Sequence, residues 1–254
     1  MTGVQTCALP ILAIYLRNNP ESRFFSKKGL ILGGSHSPSP LNSEAHQGDL
    51  SAVLLQNLNP LVNLIRVPKK PIILMDEWES KIKAIVENTW NKDVNSLSGV
   101  PSWMLVLIKA VLKKTGREYL TDVWPNLEVF FHGGISFEPY REQYKTLIPS
   151  NKMHYMETYN ASEGFFGLQD DPTDSSLLMM PDYGIFYEFI PMNEVGNAHP
   201  TVLPLESVET GKNYAMVITT SGGLWRYQIG DTVRFTSLFP HKFVISGRTK
   251  HFIN

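Results

Sequence analysis

Two carboxylates in the second half of the chain stand in settings where they could do chemistry. Glu163 lies in the run Tyr159-Asn-Ala-Ser162-Glu163-Gly164, directly after an apolar stretch that reads as a strand. Residues at the carboxyl ends of strands line the crevice where α/β sheets bind ligands. A carboxylate there can hold Mg²⁺, which takes one or two carboxylates and fills its other positions with phosphate oxygens and water. Tyr159 offers a flat amphipathic ring to an adenine face. An ordinary strand-end turn with a solvated Glu163 explains the same hexapeptide. The second carboxylate, Asp231, ends Trp225-Arg226-Tyr-Gln-Ile-Gly230-Asp231. An ionised carboxylate only accepts hydrogen bonds, so Asp231 can take them from both hydroxyls of a ribose. Gly230 lets the backbone turn sharply enough to present it. A Gly-Asp turn between two strands is the competing explanation. Arg226 could pair with an acid in the sheet or approach a phosphate, and spacing does not separate the two.

Further upstream, Gly133-Gly134 follows the apolar run Leu127-Glu-Val-Phe-Phe131. Paired glycines permit close approach of a ring system to the backbone, as well as a plain turn. His132 beside them reads as a polar strand-end residue, and His154, inside an apolar strand, as structural. Glu138, Glu157 and Glu163 have no spacing that sets two carboxylates across a glycosidic bond. The sequence carries no HExxH, cysteine pair, Walker A or GxGxxG pattern.

Elements must bring these residues together. Leu30–Leu32 reads as a buried strand ending at Gly33-Gly34, and 35–49, with Pro38 and Pro40, as loop. Leucines from 54 to 64 recur near helical spacing, with Pro60 dividing them. Asp76 to Thr89 predicts a helix, since Trp78, Ile82, Ile85 and Val86 recur at three- and four-residue intervals. Val100-Pro-Ser102 starts another. A strand over 127–131, a helix over 137–148 and a strand over 153–158 follow. Beyond about 165 the pattern is short strands at 177–180, 185–190, 214–219, 224–227, 233–236 and 243–245, with Ser221-Gly-Gly223 as a hairpin turn. The fold class is therefore α/β followed by a mainly β portion.

Bulk properties narrow the function. With 254 residues, 43% hydrophobic and 19% charged, the chain has the composition of a globular protein. A formal net charge of -1 gives no reason to expect nucleic acid or an anionic membrane as partner. No apolar run reaches the ~18 residues of a membrane span. One cysteine excludes an intrachain disulfide and fits a cytoplasmic location. Residues 1–11 resemble the translation of a sequencing adapter, and are expected to pack against nothing.

Taken in order, the Tyr159–Gly164, Trp225–Asp231 and Gly247-Arg248 runs resemble the nucleotide site of adenylate-forming enzymes. With Phe131-His-Gly-Gly134 and Gly99-Val-Pro-Ser-Trp103, they look most like the auxin-responsive promoter (GH3) family of acyl-acid amido synthetases. The likeness runs from about Leu12 to Asn254. It implies an incomplete large N-terminal domain of an adenylate-forming enzyme: 12–165 its α/β part, 166–245 its β-rich part, 246–254 the start of a hinge to a missing C-terminal domain. It also implies ATP and Mg²⁺, a carboxylic acid activated as acyl-adenylate, and transfer to an amine, expected to be that of an amino acid. Tyr159, Ser162 and Glu163 would serve adenine and the Mg²⁺–phosphate group, Gly133, Gly134 and Arg226 the rest of the nucleotide, Asp231 the ribose, and Arg248 the ribose–phosphate edge. Glu163 and Arg248 would carry the catalytic burden. Trp225 stands where the family usually has Tyr. The family's phosphate loop is expected upstream of residue 12, and the fragment alone is expected to be inactive. An acyl-CoA-type ligase with a thiol acceptor and a non-catalytic nucleotide- or acyl-binding module are the alternatives.

Overall fold

A computed structural model of the chain describes residues 2–38, 46–57 and 60–249. Part of the expected 35–49 loop, Leu58 and the end of the expected hinge lie outside them. The chain divides into two units, Met1–Glu157 and Thr158–Asn254.

The first unit is a parallel sheet with helices. Helix α1 (Thr2–Asn18) precedes β1 (Lys28–Leu32), and α2 (Leu50–Gln56) leads to the short β2 (Arg66–Val67). Then come α3 (Trp78–Thr89), β3 (Val94–Gly99), α4 (Pro101–Thr115), β4 (Val129–Gly133) and α5 (Arg141–Leu147). The strands lie in the order β4-β3-β1-β2, all parallel. One face of the sheet packs Leu30, Leu97 and Phe130 against Ile82 and Ile85 of α3 and Met104, Ile108 and Val111 of α4. Helix α4 starts with Pro101 in its first turn and ends at Gly116, whose φ of 65° closes it in the left-handed region. Residues 36–38 and 46–48, expected as loop, pair in a two-stranded ladder.

Three sequence expectations change here. Strand β3 was not foreseen: Asn95, Ser96 and Ser98 make it look polar, yet Asn95 is buried and its amide donates to the Arg23 carbonyl and to Glu128. The expected helix over 137–148 is a 3₁₀ turn at Glu138–Tyr140 followed by α5, because Pro139 cannot donate within the first turn. Ile11 is buried, so packing begins inside the segment expected to touch nothing.

The second unit is antiparallel. Strand β5 (His154–Ala161) crosses the unit boundary and turns into β6 (Gly164–Leu168). Strands β7 (Leu177–Met179), β8 (Ile185–Pro191), β9 (Leu203–Pro204), β10 (Asn213–Thr220), β11 (Tyr227–Leu238) and β12 (His241–Arg248) follow. Their order is β5-β6-β7-β12-β11-β10-β8-β9. Aromatic residues fill the core: Tyr159, Phe166, Phe189, Tyr214, Phe235 and Phe243 are all buried. The strand expected from Leu224 begins only at Tyr227. Arg226 has a φ of 45°, which no strand residue adopts, and Trp225 is 83% exposed.

Among the described residues, no helix is long and apolar enough to cross a membrane.

Candidate functional site

Asp231 is the centre of the arrangement in the second unit. It lies on β11 directly opposite Arg248 of β12, because the register of the two strands pairs these positions. The guanidinium Nε donates to Asp231 Oδ1 at 2.8 Å. The other oxygen, Oδ2, accepts from the Tyr159 hydroxyl at 2.5 Å. Gly230, at φ 87°, lies inside β11 next to Asp231, so the Gly-Asp turn between two strands that the sequence allowed is not formed, and Thr249 Oγ1 donates to the Gly230 carbonyl at 3.3 Å. Asp231 is 7% exposed and Tyr159 5%, whereas the Arg248 side chain is 67% exposed. The buried partner therefore fixes the carboxylate, and the exposed one is free to exchange with water or a ligand.

This changes the expectation for Tyr159. Its ring sits against Phe166 at 4.9 Å and Phe243 at 6.1 Å between centroids, inside the core. A ring so enclosed has no face to offer adenine; what Tyr159 contributes is its hydroxyl. Burial and the hydrogen bond to Asp231 raise its pKa far above the ordinary range, so that hydroxyl keeps its proton.

Ser162 and Glu163 form the two-residue turn between β5 and β6, flanked by the pair Ala161 and Gly164. Ser162 is exposed and Glu163 half-buried, and Glu163 forms no ion pair with any described residue. The choice left open for Arg226 resolves towards an acid: its Nε donates to Glu188 Oε2 at 3.0 Å and its backbone N–H to Thr219 Oγ1 at 3.0 Å. Arg226 thus closes the β10–β11 connection on the solvent side.

In the first unit, Gly133 ends β4 and Gly134 follows at φ 84°, a value that favours glycine. A Cβ on Gly134 would stand 3.5 Å from Val100 Cγ2, so backbone conformation and not crowding selects glycine there. His132 is 3% exposed and stacked on Phe137 at 4.2 Å. Burial, and then the nearby Arg141 charge, push its pKa down to about 3, so it stays neutral and has no proton to give near neutrality. Glu157 shows the opposite shift: burial raises its pKa to about 7, with Arg141 opposing and Glu138 adding to the rise. The sequence offered Glu157 only as a spare carboxylate; an acid inside the apolar 153–158 strand was the available signal. Among the described residues, no group of three or more His, Cys, Asp or Glu side chains is placed to hold a metal.

Comparison with known proteins supplies the family. Residues 11–153 match the sequence profile of the GH3 family N-terminal domain, and 178–248 that of the GH3 family central domain. The chain is 30% identical over 170 residues to the indole-3-acetic acid-amido synthetase GH3.4 of Arabidopsis thaliana, covering 63% of this chain and 27% of that protein. It is 28% identical over 186 residues to the 4-substituted benzoates-glutamate ligase GH3.12 of the same plant, covering 66% of this chain and 31% of the relative. The chain thus spans about a third or less of these curated relatives. Its fold is similar to that of a solved GH3.15 acyl acid amido synthetase, with TM-score 0.70 and 17% identity, covering 95% of this chain and 51% of the other. A 2-hydroxyisobutyryl-CoA ligase solved in complex with 2-HIB-AMP and CoA shares the fold at TM-score 0.57 and 14% identity, covering 87% of this chain and 45% of that one. With its N-terminal profile alone spanning more than half of the residues, and the central profile following in order, the chain belongs to the GH3 family.

Proposed function

We propose that this chain carries the nucleotide-facing part of an ATP-dependent acid–amino acid ligase of the adenylate-forming class. The observation that supports the reading is the state of Asp231. A carboxylate has about four acceptor positions, and Tyr159 and Arg248 use one on each oxygen. Among the described residues no other donor is bonded to it, which leaves two positions, the number that the vicinal hydroxyls of a ribose require. A buried, preorganised acceptor within a strand suits that role better than a turn residue would. Relatives that carry the names of amido synthetases and of a benzoate–glutamate ligase favour a carboxylic acid and an amino acid as the two further substrates.

The reaction has two steps. A carboxylate oxygen attacks the α-phosphorus of ATP, the bond to the bridging oxygen breaks, and pyrophosphate leaves with that bond's electrons. The amine nitrogen then attacks the acyl carbonyl, loses a proton, and displaces AMP to leave an amide. Neither step needs a covalent protein nucleophile; positioning and charge neutralisation carry the catalysis. Asp231 holds the ribose through both hydroxyls. Arg248, exposed beside it, turns from Asp231 to the ribose–phosphate edge. Glu163 would hold Mg²⁺ as a half-buried carboxylate that forms no ion pair with any described residue. When bound, Mg²⁺ supplies charge neutralisation on the phosphate oxygens. Ser162, on the β5–β6 turn, offers a hydroxyl donor.

The test uses an acyl-sulfamoyl adenosine, a stable mimic of the acyl-adenylate, titrated calorimetrically into this chain. The reading predicts tighter binding than AMP, since an adenylate mimic combines acyl and nucleotide contacts. Equal or absent binding of both compounds to folded protein would overturn it.

A further inference from the structure

The first unit buries two cations, and the fold treats them differently. Lys81 of α3 donates to the Gly33 carbonyl at 2.7 Å and the Gly34 carbonyl at 3.0 Å, with the Asp49 charge acting on it as well. Arg66 of β2 has no such provision. It is 5% exposed, and its Nη1 has no hydrogen-bond partner among the described residues. Burial alone lowers its pKa, with no carboxylate acting against that shift. An uncompensated buried charge is among the most costly features a fold can carry.

The surroundings of Arg66 suit an acceptor. The register sets Arg66 beside Gly29 of β1, and Gly29 beside Ser96 of β3. Residues paired across strands project from the same face of a sheet, so Arg66 and Ser96 flank a position that has no side chain. Ser96 Oγ reaches into the space above Gly29, 2.9 Å from where a Cβ would stand. Ser96 is itself buried. A guanidinium and a hydroxyl on one face, on either side of a glycine, are three or more donors, and no acid acts on the guanidinium.

We propose that Arg66 and Ser96 form a binding site for a small oxyanion, a carboxylate or phosphate group, seated above Gly29. The planar fork of arginine matches two oxygens of such a group, and the serine hydroxyl can donate to one of them. The site is separate from the residues assigned to the nucleotide and does not depend on that assignment.

Thermal melts of the whole chain, in inorganic phosphate or in acetate against sodium chloride of matched ionic strength, test this. Saturating oxyanion should raise the melting temperature by about 5 °C, the scale expected for a ligand present at ~100 times its Kd on a chain of this size. Arg66→Met should abolish the response and, without oxyanion, should melt no lower than the wild type, because it removes a buried charge that nothing pairs. A response to phosphate alone identifies a phosphate group as the ligand, and a response to acetate as well identifies the carboxylate class. The proposal fails if neither anion shifts the wild type beyond chloride, or if Arg66→Met retains the shift. Should Arg66→Met not fold, calorimetric titration of the wild type and of Ser96→Ala with the same anions decides, with several-fold weaker binding expected in the serine variant and equal affinity contradicting the site.

Discussion

Tyr159, Asp231 and Arg248 are joined at the scale of single residues by one buried hydrogen bond and one exposed ion pair. The Tyr159–Asp231 hydrogen bond is buried at both ends, so Tyr159→Phe leaves a buried carboxylate oxygen without its donor. We expect a loss of about 1–3 kcal/mol in unfolding free energy, measured by urea denaturation; a change within ~0.5 kcal/mol would show that the bond does not hold Asp231 in place. Arg248 is the contrasting case, with 67% of its side chain exposed. Arg248→Ala should alter stability by ~1 kcal/mol at most, and the small effect should shrink further in high salt. A loss above ~2 kcal/mol would mean that Arg248 is a structural partner of Asp231 and not an exchangeable one.

At the scale of elements, β4, β5 and the turn into α5 carry two groups that respond to pH in opposite senses. His132 has its pKa lowered from 6.5 to about 3, so the unfolded chain takes up a proton that the folded chain refuses. Its contribution is complete above pH 6.5 and is lost as pH falls towards 3, with a slope of at most ~1.4 kcal/mol per pH unit. Glu157 has its pKa raised from 4.5 to about 7, so the folded chain holds the proton longer. That contribution is complete below pH 4.5 and is lost as pH rises through 7. Between pH 4.5 and 6.5 the two slopes oppose each other in the wild type. His132→Phe, which keeps a ring on Phe137, should therefore remove the rise between 3 and 6.5 and leave the Glu157 decline, and Glu157→Gln should remove that decline and leave the rise. Unfolding free energies at stepped pH give both; an unchanged acid limb in His132→Phe would contradict the buried neutral imidazole. Neither shift could be read from sequence, since both arise from burial that several elements create together. The elements themselves were more legible. Apolar spacing set α3 (Trp78–Thr89) and the proline start of α4 (Pro101–Thr115) within two residues of their places. Strand β3 escaped because its buried Asn95 is satisfied by partners distant in sequence, Arg23 and Glu128, and the premature start at Leu224 because nothing local announces a left-handed residue at Arg226.

On the scale of the whole molecule, the order of three short runs was enough to point to the family that the two profiles then matched. What those runs could not convey was tertiary pairing. Tyr159 and Asp231 are 72 positions apart, and their hydrogen bond makes Tyr159, expected as an adenine platform, a support for the Asp231 carboxylate. The exchange partner of Asp231 depends on the β11–β12 register, and the acid partner of Arg226 lies 38 positions upstream, so neither was open to inspection along the chain. The central claim is that the two free acceptor positions of Asp231 receive the ribose hydroxyls. A thermodynamic cycle tests it directly: ATP and 2′-deoxy-ATP are titrated into the wild type and into Asp231→Asn, which keeps an oxygen for Tyr159 but lacks the charge and one acceptor oxygen. Coupling between the carboxylate and the hydroxyl is predicted at about 1.5–3 kcal/mol, so that deleting the hydroxyl costs the wild type ten-fold or more in affinity and costs the asparagine variant little. Equal losses in both proteins, or no discrimination between the two nucleotides by the wild type, would contradict it.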